Sequence, residues 1–309
     1  MSLLSETQLT LIKKIEGCEV LHDVEMKKFS TMKLSSFGTL VKVSHIEALK
    51  ELVQYFSNQG IAFKCIGWGA NFILPEKPNF VLIKLDIPFD KRAITPDQKV
   101  FDLPASAPLN VLTSLAVKYG FKGWEVFTGV PASLGGAIAM NAGTNLGEIC
   151  ELLESVQILR ADGSVENHNV TDNSFSYRAN HILNEGDIII GARIFHKGID
   201  PTIGPLIKEY LKKRTDSQPL KEKTCGCMFK NKLLKTSDLE LTCRAGLYLD
   251  IMGAKGLNVG DMRISPKHAN FMENHGESGS EEVKELVSLA LSELELHYGV
   301  KFETEAHLP

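Results

Sequence analysis

One stretch of the sequence, residues 129–143, is rich in glycine and alanine, and this composition suits the binding of a phosphate group. Small residues let the backbone approach a ligand closely and aim successive N–H groups at an anion, as a bound diphosphate requires. The stretch contains no Lys or Arg, so a phosphate here would be held by backbone dipoles and hydroxyl groups. A tightly packed turn of small residues has the same composition, and composition alone leaves both interpretations open.

A second glycine-rich turn, Gly67-Trp68-Gly69-Ala70-Asn71, follows a strand predicted at residues 61–66. Neither turn fits the Walker pattern G-x-x-x-x-G-K-[ST] or the Rossmann pattern G-x-G-x-x-G, so both of these phosphate-binding motifs are excluded. The elements before the turn predict a β-α-β-like opening. It consists of a strand at residues 40–43 and a helix at residues 48–58, whose apolar positions share one face and whose end is marked by Gly60.

The remaining apolar patterns predict further strands and two more helices. Strands are predicted at residues 80–85, 100–103 and 187–195, and a hairpin joins residues 156–159 to 165–168 through an Asp-Gly turn. Helices are predicted at residues 109–119 and, from a capping sequence that begins at Ser278, up to Gly299. A final short strand is predicted at residues 300–305, and a domain boundary near residue 200.

Length and composition limit the class of protein. The 309 residues correspond to about two domains of ordinary size. Hydrophobic residues make up 43% of the chain and charged residues 23%, which argues against disorder, and no apolar run approaches the roughly 20 residues of a membrane span. Residues 1–20 mix charged and apolar positions, so they predict a short amphipathic helix and not a signal peptide. We therefore expect a cytoplasmic protein that does not bind a membrane.

The charges and cysteines narrow the choice of partners. The chain has 34 basic and 38 acidic residues, which excludes a generally basic nucleic-acid binder. Residues 208–235 hold a local excess of Lys and Arg that suits an anionic ligand, although a solvated lysine-rich loop explains it as well. The six cysteines are scattered and form no C-x-x-C pair, so we expect reduced thiols and no metal site.

The two glycine-rich turns and several later motifs resemble, in their order along the chain, the UDP-N-acetylenolpyruvoylglucosamine reductase family. The motifs that carry the resemblance are Gly67-Trp68-Gly69-Ala70-Asn71, Gly129-Val130-Pro131-Ala132-Ser133-Leu134-Gly135-Gly136-Ala137, Asn141-Ala142-Gly143, Tyr177-Arg178, Gly226-Cys227-Met228-Phe229-Lys230-Asn231, Ala245-Gly246, Gly253-Ala254-Lys255-Gly256, His268-Ala269-Asn270-Phe271 and Glu305. One motif alone would be weak evidence, but this many motifs in the family's order are strong evidence.

The resemblance implies an α+β protein with a vanillyl-alcohol-oxidase-like (PCMH-type) FAD-binding fold in two subdomains, plus a smaller α+β substrate-binding domain. It implies an N-terminal helix at residues 1–18, an FAD-binding domain at 19–198, a substrate-binding domain at 199–300 and a C-terminal strand or tail at 301–309. The expected activity is the NADPH-dependent reduction of the enolpyruvyl ether of UDP-N-acetylglucosamine to UDP-N-acetylmuramate, for peptidoglycan, by a monomer that carries FAD. The short chain between Arg178 and Arg214 resembles the compact type of the family, which lacks a Tyr-bearing loop.

Reduction of an enol ether that is conjugated to a carboxylate needs a hydride, stabilisation of an enediolate, and a proton for the adjacent carbon. By resemblance, Arg178 would lie beside the carboxylate, a role that suits its planar guanidinium. Glu305 would act as a protonated acid on the enediolate, although the geometry of a strand does not separate it from Glu303. Cys227 stands where family members often carry Ser, and a thiol, which is a better acid than a hydroxyl, would donate the proton.

The resemblance also assigns residues to the cofactor and to the substrate. The residues assigned to FAD are Gly67, Gly69, Ala70, Asn71, Gly129, Ser133, Gly135, Gly136, Ala137, Asn141 and Gly143. The residues assigned to the substrate are Tyr177, Lys230, Asn231, His268 and Asn270. The chain departs from the family pattern at Ala70, where Ser is common, and at residues 233–244, which lengthen the loop before Ala245.

Two other functions remain open at this point. An enzyme with the same scaffold would oxidise an alcohol or a hydroxy acid, and rapid consumption of oxygen would distinguish it. A non-catalytic nucleotide-binding relative would keep the fold and lose the chemistry, and it would be recognised by the absence of bound flavin.

Overall fold

A computed structural model describes residues 3–235 and 240–309 of the chain. The chain divides into two units. Unit 1 consists of Met1–Val24, Gly38–Trp68 and Asn79–Lys212, and unit 2 of Glu25–Phe37, Gly69–Pro78 and Lys213–Pro309. This division follows contacts within each unit and assigns no function to either, so the functional domain boundaries given above stay predictions.

Three of the helices end at a glycine, which allows the backbone to turn. The α-helices of the described residues are α1 (Glu6–Lys13), α2 (Ile46–Gln59), α3 (Leu109–Tyr119), α4 (Leu134–Ala139), α5 (Ile203–Ser217), α6 (Ala245–Ile251) and α7 (Ser280–Tyr298). Short 3-10 turns lie at Lys27–Phe29, Lys91–Ala93, Trp124–Phe127 and Ile149–Leu152. Gly60, Gly120 and Gly299 follow α2, α3 and α7 with φ angles of 63°, 73° and 64°, which confirms the predicted helix ends.

The first sheet of unit 1 contains the predicted β-α-β opening. Its order is β1 (Cys18–Glu25), β2 (Phe37–Val43), β4 (Val81–Leu85) and β3 (Phe63–Cys65). Strands β2 and β3 both pair in parallel with β4, as a crossover through α2 requires. The apolar face of α2, including Leu49, Leu52 and Phe56, is fully buried in one core cluster with Val41 and Ile83 of this sheet.

The second sheet of unit 1 is antiparallel. Its order is β5 (Val100–Pro104), β12 (Ile188–Phe195), β8 (Leu153–Leu159) and β9 (Val165–Asn169). The predicted hairpin is confirmed as β8–β9, and Gly163 in its turn has a φ angle of 88°. A core cluster that includes Trp124, Phe121 and Leu112 belongs to this part of unit 1.

Two very short hairpins of unit 1 complete its strands. They are β6 (Gly143–Thr144) with β7 (Gly147–Glu148), and β10 (Phe175–Ser176) with β11 (Ala179–Asn180). The second hairpin leaves only Tyr177 and Arg178 in its turn. These elements therefore determine where Arg178 lies.

Unit 2 contains an antiparallel sheet of β15 (Asn258–Val259), β16 (Met262–Ile264) and β17 (Met272–Asn274). Its core cluster includes Val283 and Leu286 of α7, Met262 of β16 and Phe229. A separate antiparallel hairpin joins β13 (Lys232–Lys235) to β14 (Glu240–Cys243). The segment predicted as a lengthened loop at 233–244 thus contains this hairpin, and its residues 236–239 lie outside the described residues.

The prediction of a strand at residues 300–305 is wrong. In this segment only Thr304 forms a β-bridge, and its partner is Phe229. Glu305 binds two different segments through its backbone, because its N–H donates to Met228 and its carbonyl accepts from the Asn71 side chain. The chain bends at this point and cannot follow one neighbouring strand.

The general class is confirmed: helices and largely antiparallel sheets make an α+β protein. Among the described residues, no helix is long and apolar enough to cross a membrane. The same residues contain no group of three or more His, Cys, Asp or Glu side chains arranged to hold a metal ion.

Candidate active site

The two glycine-rich stretches meet in unit 1 at Gly67 and Ser133. A Cβ atom placed on Gly67 would lie 2.8 Å from the Ser133 hydroxyl oxygen and 3.7 Å from the Cα of Gly136. The carbonyl oxygen of Gly67 accepts a hydrogen bond of 2.7 Å from Lys84 Nζ. Any side chain larger than hydrogen at residue 67 would fill this space, so the contact requires glycine.

The expectation that successive N–H groups of this stretch point at an anion is wrong for at least eight of them, because these groups donate within the protein. The N–H groups of Leu134 and Gly135 donate to the carbonyl oxygens of Ala107 and Ala105. A Cβ on Gly135 would lie 2.7 Å from the Ala105 side chain, so this glycine serves close packing. Ser133 begins α4, and its hydroxyl accepts from the Gly136 N–H at 3.4 Å.

Beside Gly67, unit 1 has a cavity of about 540 Å³. Its lining combines cationic, acidic and apolar side chains: Trp68, Lys84, Leu85, Asp86, Ile87, Pro88, Phe89, Asp90, Lys91, Arg92, Ser106, Pro108 and Val111. Among these residues, Asp90 is paired with Arg92. Burial lowers the pKa of Lys84, the cation that also holds the Gly67 carbonyl. This mixture suits a ligand with phosphate groups and a flat ring.

Arg178 lies in the two-residue turn of the β10–β11 hairpin with a φ angle of 52°. A non-glycine residue with positive φ costs about 1–3 kcal/mol and occurs most often at functional sites. Its guanidinium lies 5.0 Å from the ring centre of Tyr177, whose side chain is exposed. The hairpin therefore holds Arg178 in a conformation that its sequence alone would not favour.

The guanidinium of Arg178 is held by backbone carbonyls and one carboxylate. Nη2 donates to the Gly143 carbonyl at 2.8 Å, Nη1 donates to the Asn141 carbonyl at 3.4 Å, and a Glu148 oxygen lies 3.7 Å from Nη1. The side chain is 15% exposed, so these contacts take place largely away from water. This arrangement fixes the direction of the guanidinium, as recognition of a carboxylate requires.

Asn141, predicted as a cofactor residue, is fully buried beneath this turn and also has a positive φ, of 42°. Its amide nitrogen donates to Glu148 Oε2 and to the Ser176 carbonyl, both at 2.9 Å, and its amide oxygen accepts from the Cys150 N–H. The side chain thus joins the two hairpins around Arg178. Its predicted contact with the cofactor stays a prediction.

In unit 2, Cys227 and Glu305 lie on neighbouring segments. The Glu305 N–H donates to the Met228 carbonyl at 2.7 Å, and the Lys230 N–H donates to the Glu303 carbonyl at 2.9 Å. Cys227 itself forms a β-bridge with Phe271 on the other side, and its side chain is partly buried. The tail is also tied to Asn71, whose side chain donates to the Glu305 carbonyl at 2.8 Å.

The two glutamates that the sequence left undecided differ in environment. The Glu303 side chain is 80% exposed and lies 3.5 Å from Lys230 Nζ. Glu305 is partly buried. Glu305 is therefore the better candidate for a group that acts on a bound substrate.

The motif around Cys227 packs against two other motifs of the sequence. Asn231 accepts a hydrogen bond from the Ala245 N–H at 3.2 Å through its side-chain oxygen. A Cβ on Gly246 would lie 3.1 Å from His268 and 3.2 Å from Asn270. Three short motifs that are far apart in the sequence are thus neighbours in unit 2.

His268 and Asn270, predicted as substrate residues, both serve this packing. Burial lowers the pKa of His268, and its Nδ1 accepts from the Asn270 N–H at 3.2 Å. The Asn270 side chain is 4% exposed, and its amide is bonded to the Phe229 backbone. Direct contacts of these side chains with a substrate stay predictions.

Cys225, two residues before Cys227, differs from it. Cys225 is buried in the core of unit 2, and burial raises the pKa of its thiol to about 12. It therefore stays protonated at neutral pH and behaves as a small apolar residue.

Unit 2 also contains two buried hydroxyls that sequence reasoning missed. The side-chain oxygens of Ser30 and Thr31 have no hydrogen-bond partner among the described residues. They lie next to Gly69, since the Thr31 N–H donates to the Gly69 carbonyl at 3.3 Å. A Cβ on Gly69 would collide with the Phe29 carbonyl oxygen, so this turn requires glycine. A Ser-Thr pair has no local signal in the sequence, and only the fold places it beside the glycine turn.

The other predicted cofactor residues lie within these same stretches. Gly129 forms a turn with a φ angle of 70°, Ala137 is buried in α4, and Ala70 is partly buried next to Gly69. Their contacts with a cofactor stay predictions.

Comparison with known proteins identifies both parts of the chain. Residues 218–308 match the family described as UDP-N-acetylenolpyruvoylglucosamine reductase, C-terminal domain, and residues 38–169 match the FAD binding domain family. The crystal structure of UDP-N-acetylenolpyruvylglucosamine reductase from Thermus caldophilus is similar, with a TM-score of 0.76, 29% identity, and coverage of 94% of this chain and 98% of that one. This confirms the predicted FAD-binding α+β fold.

Curated relatives lead to the same family. The UDP-N-acetylenolpyruvoylglucosamine reductase of Chlamydia abortus is 27% identical, and the match covers 94% of each chain. The reductase of the same name from Halalkalibacterium halodurans is 30% identical, and the match covers 85% of each chain. On this evidence, the chain belongs to the UDP-N-acetylenolpyruvoylglucosamine reductase family.

Proposed function

We propose that this chain reduces the enolpyruvyl ether of UDP-N-acetylglucosamine to UDP-N-acetylmuramate and so supplies peptidoglycan synthesis, on which the cell wall, cell shape and cell division depend. Enzymes of this family use FAD, with NADPH as the reductant. Within the chain, the observation that carries the proposal is the bond between the segments of Cys227 and Glu305, the Glu305 N–H to the Met228 carbonyl. It keeps a thiol and a carboxyl group on adjacent backbone.

The residues of unit 1 fit FAD by the space and the polar groups that they leave. Gly67 and Ser133 contact Lys84 and Pro108, respectively, and both of these residues line the cavity. Bound FAD, once reduced by NADPH, supplies the hydride that adds to the terminal vinyl carbon of the substrate.

Arg178 would bind the substrate carboxylate and offset the negative charge that develops there as an enediolate. Because the Gly143 and Asn141 carbonyls already fix the guanidinium, no reorganisation is needed when the charge appears. Glu305, in its protonated form, would donate a hydrogen bond to the same enediolate. Each donor fixed in this way lowers the activation barrier by roughly 3–4 kcal/mol.

Cys227 would complete the reaction by giving its thiol proton to the carbon next to the carboxylate. The enediolate electrons form the new C–H bond, and the resulting thiolate takes up a proton from water. With the hydride from NADPH and this proton, the double bond becomes the lactyl ether of the product.

This chemistry also bears on where the protein acts and on what it binds. We propose a cytoplasmic location, because a nucleotide-activated sugar and NADPH are both charged and do not cross a membrane unaided. We also propose a monomer without a nucleic-acid partner, since the net charge of −4 does not favour binding to nucleic acid. The exposed lysines between residues 208 and 235 are candidates for the substrate diphosphate.

The test is a visible spectrum followed by two half-reactions. The purified chain should show flavin absorbance, lose it with NADPH under anaerobic conditions, and regain it when the enolpyruvyl substrate is added. Mass spectrometry should then find a product heavier by two hydrogen atoms. A colourless chain that FAD cannot reconstitute would contradict the proposal. So would a flavin that an alcohol reduces and oxygen reoxidises but that the enolpyruvyl substrate does not reoxidise.

A further inference from the structure

One buried amide side chain binds the backbone of the Cys227 motif at two points. Asn270 accepts a hydrogen bond from the Phe229 N–H through Oδ1 at 2.9 Å and donates one to the Phe229 carbonyl through Nδ2 at 2.8 Å. An amide that bonds both backbone groups of one residue fixes the orientation of two peptide planes. With 4% exposure of Asn270, water does not compete for these bonds.

The main chain of Asn270 continues this contact towards Cys227. Its carbonyl oxygen accepts from the Met228 N–H at 2.8 Å, and the next residue, Phe271, forms the β-bridge with Cys227. Four successive contacts therefore connect Asn270 and Phe271 to the three residues 227–229. The position of the Cys227 Cβ, and with it the reach of the thiol, depends on this connection.

Asn270 is itself held in place by His268 and Gly246. Its N–H donates to His268 Nδ1 at 3.2 Å, and its Cβ lies close to Gly246, where any larger residue would be crowded. The peptide group between Met228 and Phe229 donates its N–H to Asn270 Oδ1, and its carbonyl oxygen accepts from the Glu305 N–H. Displacement of Asn270 would thus be transmitted to the backbone that carries Cys227.

We propose that Asn270 is a positioning residue that holds the Cys227 thiol in place for proton transfer and does not bind the substrate. This inference rests on the proposed function, in which Cys227 is the proton donor. It replaces the direct substrate contact that the sequence predicted for Asn270.

The experiment compares Asn270→Ala with the unaltered FAD-loaded enzyme. Reduction of the flavin by NADPH and the Kd of the enolpyruvyl substrate for the oxidised enzyme should be unchanged. Reoxidation of the reduced flavin by that substrate should slow by about 10²-fold, the size expected for a misplaced reacting group. In a Cys227→Ala background, the additional Asn270→Ala change should slow reoxidation no further, because the group that Asn270 positions is already gone.

The matched control is Asn274→Ala. Asn274 is equally buried in unit 2, but its amide bonds the carbonyls of Met32 and Lys33 and the Gly276 N–H, away from the Cys227 motif. It should lower thermal stability to a similar degree and leave reoxidation unchanged. If Asn270→Ala does not retain FAD, Asn270→Asp takes its place, because it keeps the shape and the acceptor and loses only the donor to Phe229. It too should slow reoxidation and leave reduction by NADPH and the substrate Kd unchanged.

Two results would overturn the inference. One is a substrate Kd that weakens in step with reoxidation, which indicates direct contact. The other is an undiminished effect of Asn270→Ala when Cys227 is already alanine.

A wild-type flavin that the substrate does not reoxidise would instead overturn the proposed function. The rate at which iodoacetamide alkylates Cys227, read by mass spectrometry, then still tests the positioning, since it should change in Asn270→Ala and not in Asn274→Ala, and equal rates would refute it.

Discussion

The guanidinium of Arg178 donates a hydrogen bond of 2.8 Å to the carbonyl oxygen of Gly143. The two residues are 35 positions apart in the sequence, yet the arginine lies directly on the glycine backbone. A Cβ at residue 143 would be 2.9 Å from Arg178 Nη1, 2.9 Å from Glu148 Cγ and 3.0 Å from the Gly147 carbonyl. The absence of a side chain at Gly143 is therefore a condition for the position of Arg178.

Gly143→Ala should displace Arg178 and slow the reoxidation of reduced flavin by substrate about 10²-fold. The reason is steric, because the new methyl group meets the guanidinium, a carboxylate side chain and a carbonyl oxygen at once. Stopped-flow absorbance measures this step separately from reduction by NADPH. Gly204→Ala is the matched control, since a Cβ there makes only ordinary contact with Val117 and lies in α5. Equal rates for Gly143→Ala and the wild type would show that the position of Arg178 does not limit the reaction.

Glu305→Ala should slow the same step by 10²- to 10³-fold, roughly the cost of losing one donor to a developing oxyanion. Glu303→Ala is its control and should have little effect, because the Glu303 side chain is 80% exposed and pairs only with Lys230 among the described contacts. Both glutamates bind the 228–230 segment through their backbones, so neither truncation removes those bonds. A larger loss in Glu303→Ala than in Glu305→Ala would assign the role to the other glutamate.

Local patterns predicted much of the fold, and contacts between distant residues account for what was missed. Gly60, Gly120 and Gly299 end helices because a left-handed residue is needed there, and that requirement is visible in the sequence. The sequence predicted a strand at residues 300–305, but the backbone of Glu305 bonds both Met228 and Asn71, which no local pattern reveals.

In the candidate site, too, local sequence patterns do not reveal contacts between distant residues. The motifs around Arg178, Cys227 and Asn270 were identified from the sequence through a family resemblance. Their internal arrangement was not, because Asn270 is 41 residues from the Phe229 that it binds. The buried hydroxyls of Ser30 and Thr31 carry no motif at all, and they become visible only as unpaired polar atoms in the folded unit.

Cys227→Ser should keep substantial activity, because a hydroxyl can occupy the same position and also give up a proton. Cys227→Ala should lower turnover by about 10²- to 10⁴-fold, the usual contribution of a general acid, while NADPH still bleaches the flavin. The control is Cys225→Ala, which should leave both half-reactions unchanged, since burial raises the pKa of that thiol to about 12 and places it in the core. Full turnover in Cys227→Ala would remove this residue from the mechanism.

Stability should fall as the pH drops below about 6.5, the ordinary pKa of histidine, in part because of His268. Burial lowers the pKa of His268 in the folded chain, so the folded state takes up this proton less readily than the unfolded state. The stabilisation is fully present above the unfolded pKa and is lost as the pH falls through the folded pKa. Protonation also ends the bond from the Asn270 N–H to Nδ1, because that nitrogen then carries a hydrogen.

His268→Gln should therefore lose less thermal stability than the wild type between pH 7 and pH 5, measured as the change in Tm by calorimetry. Ordinary carboxylates remain charged over this interval, so histidines dominate the difference. His297→Gln, at an exposed position near the end of α7, should keep the wild-type decrease. Because His268 supports the N–H of Asn270, the same protonation should loosen the Cys227 motif, and reoxidation by substrate should slow in acid in the wild type more than in His268→Gln. Parallel Tm curves for the wild type and His268→Gln would contradict the assignment of this acid sensitivity to His268.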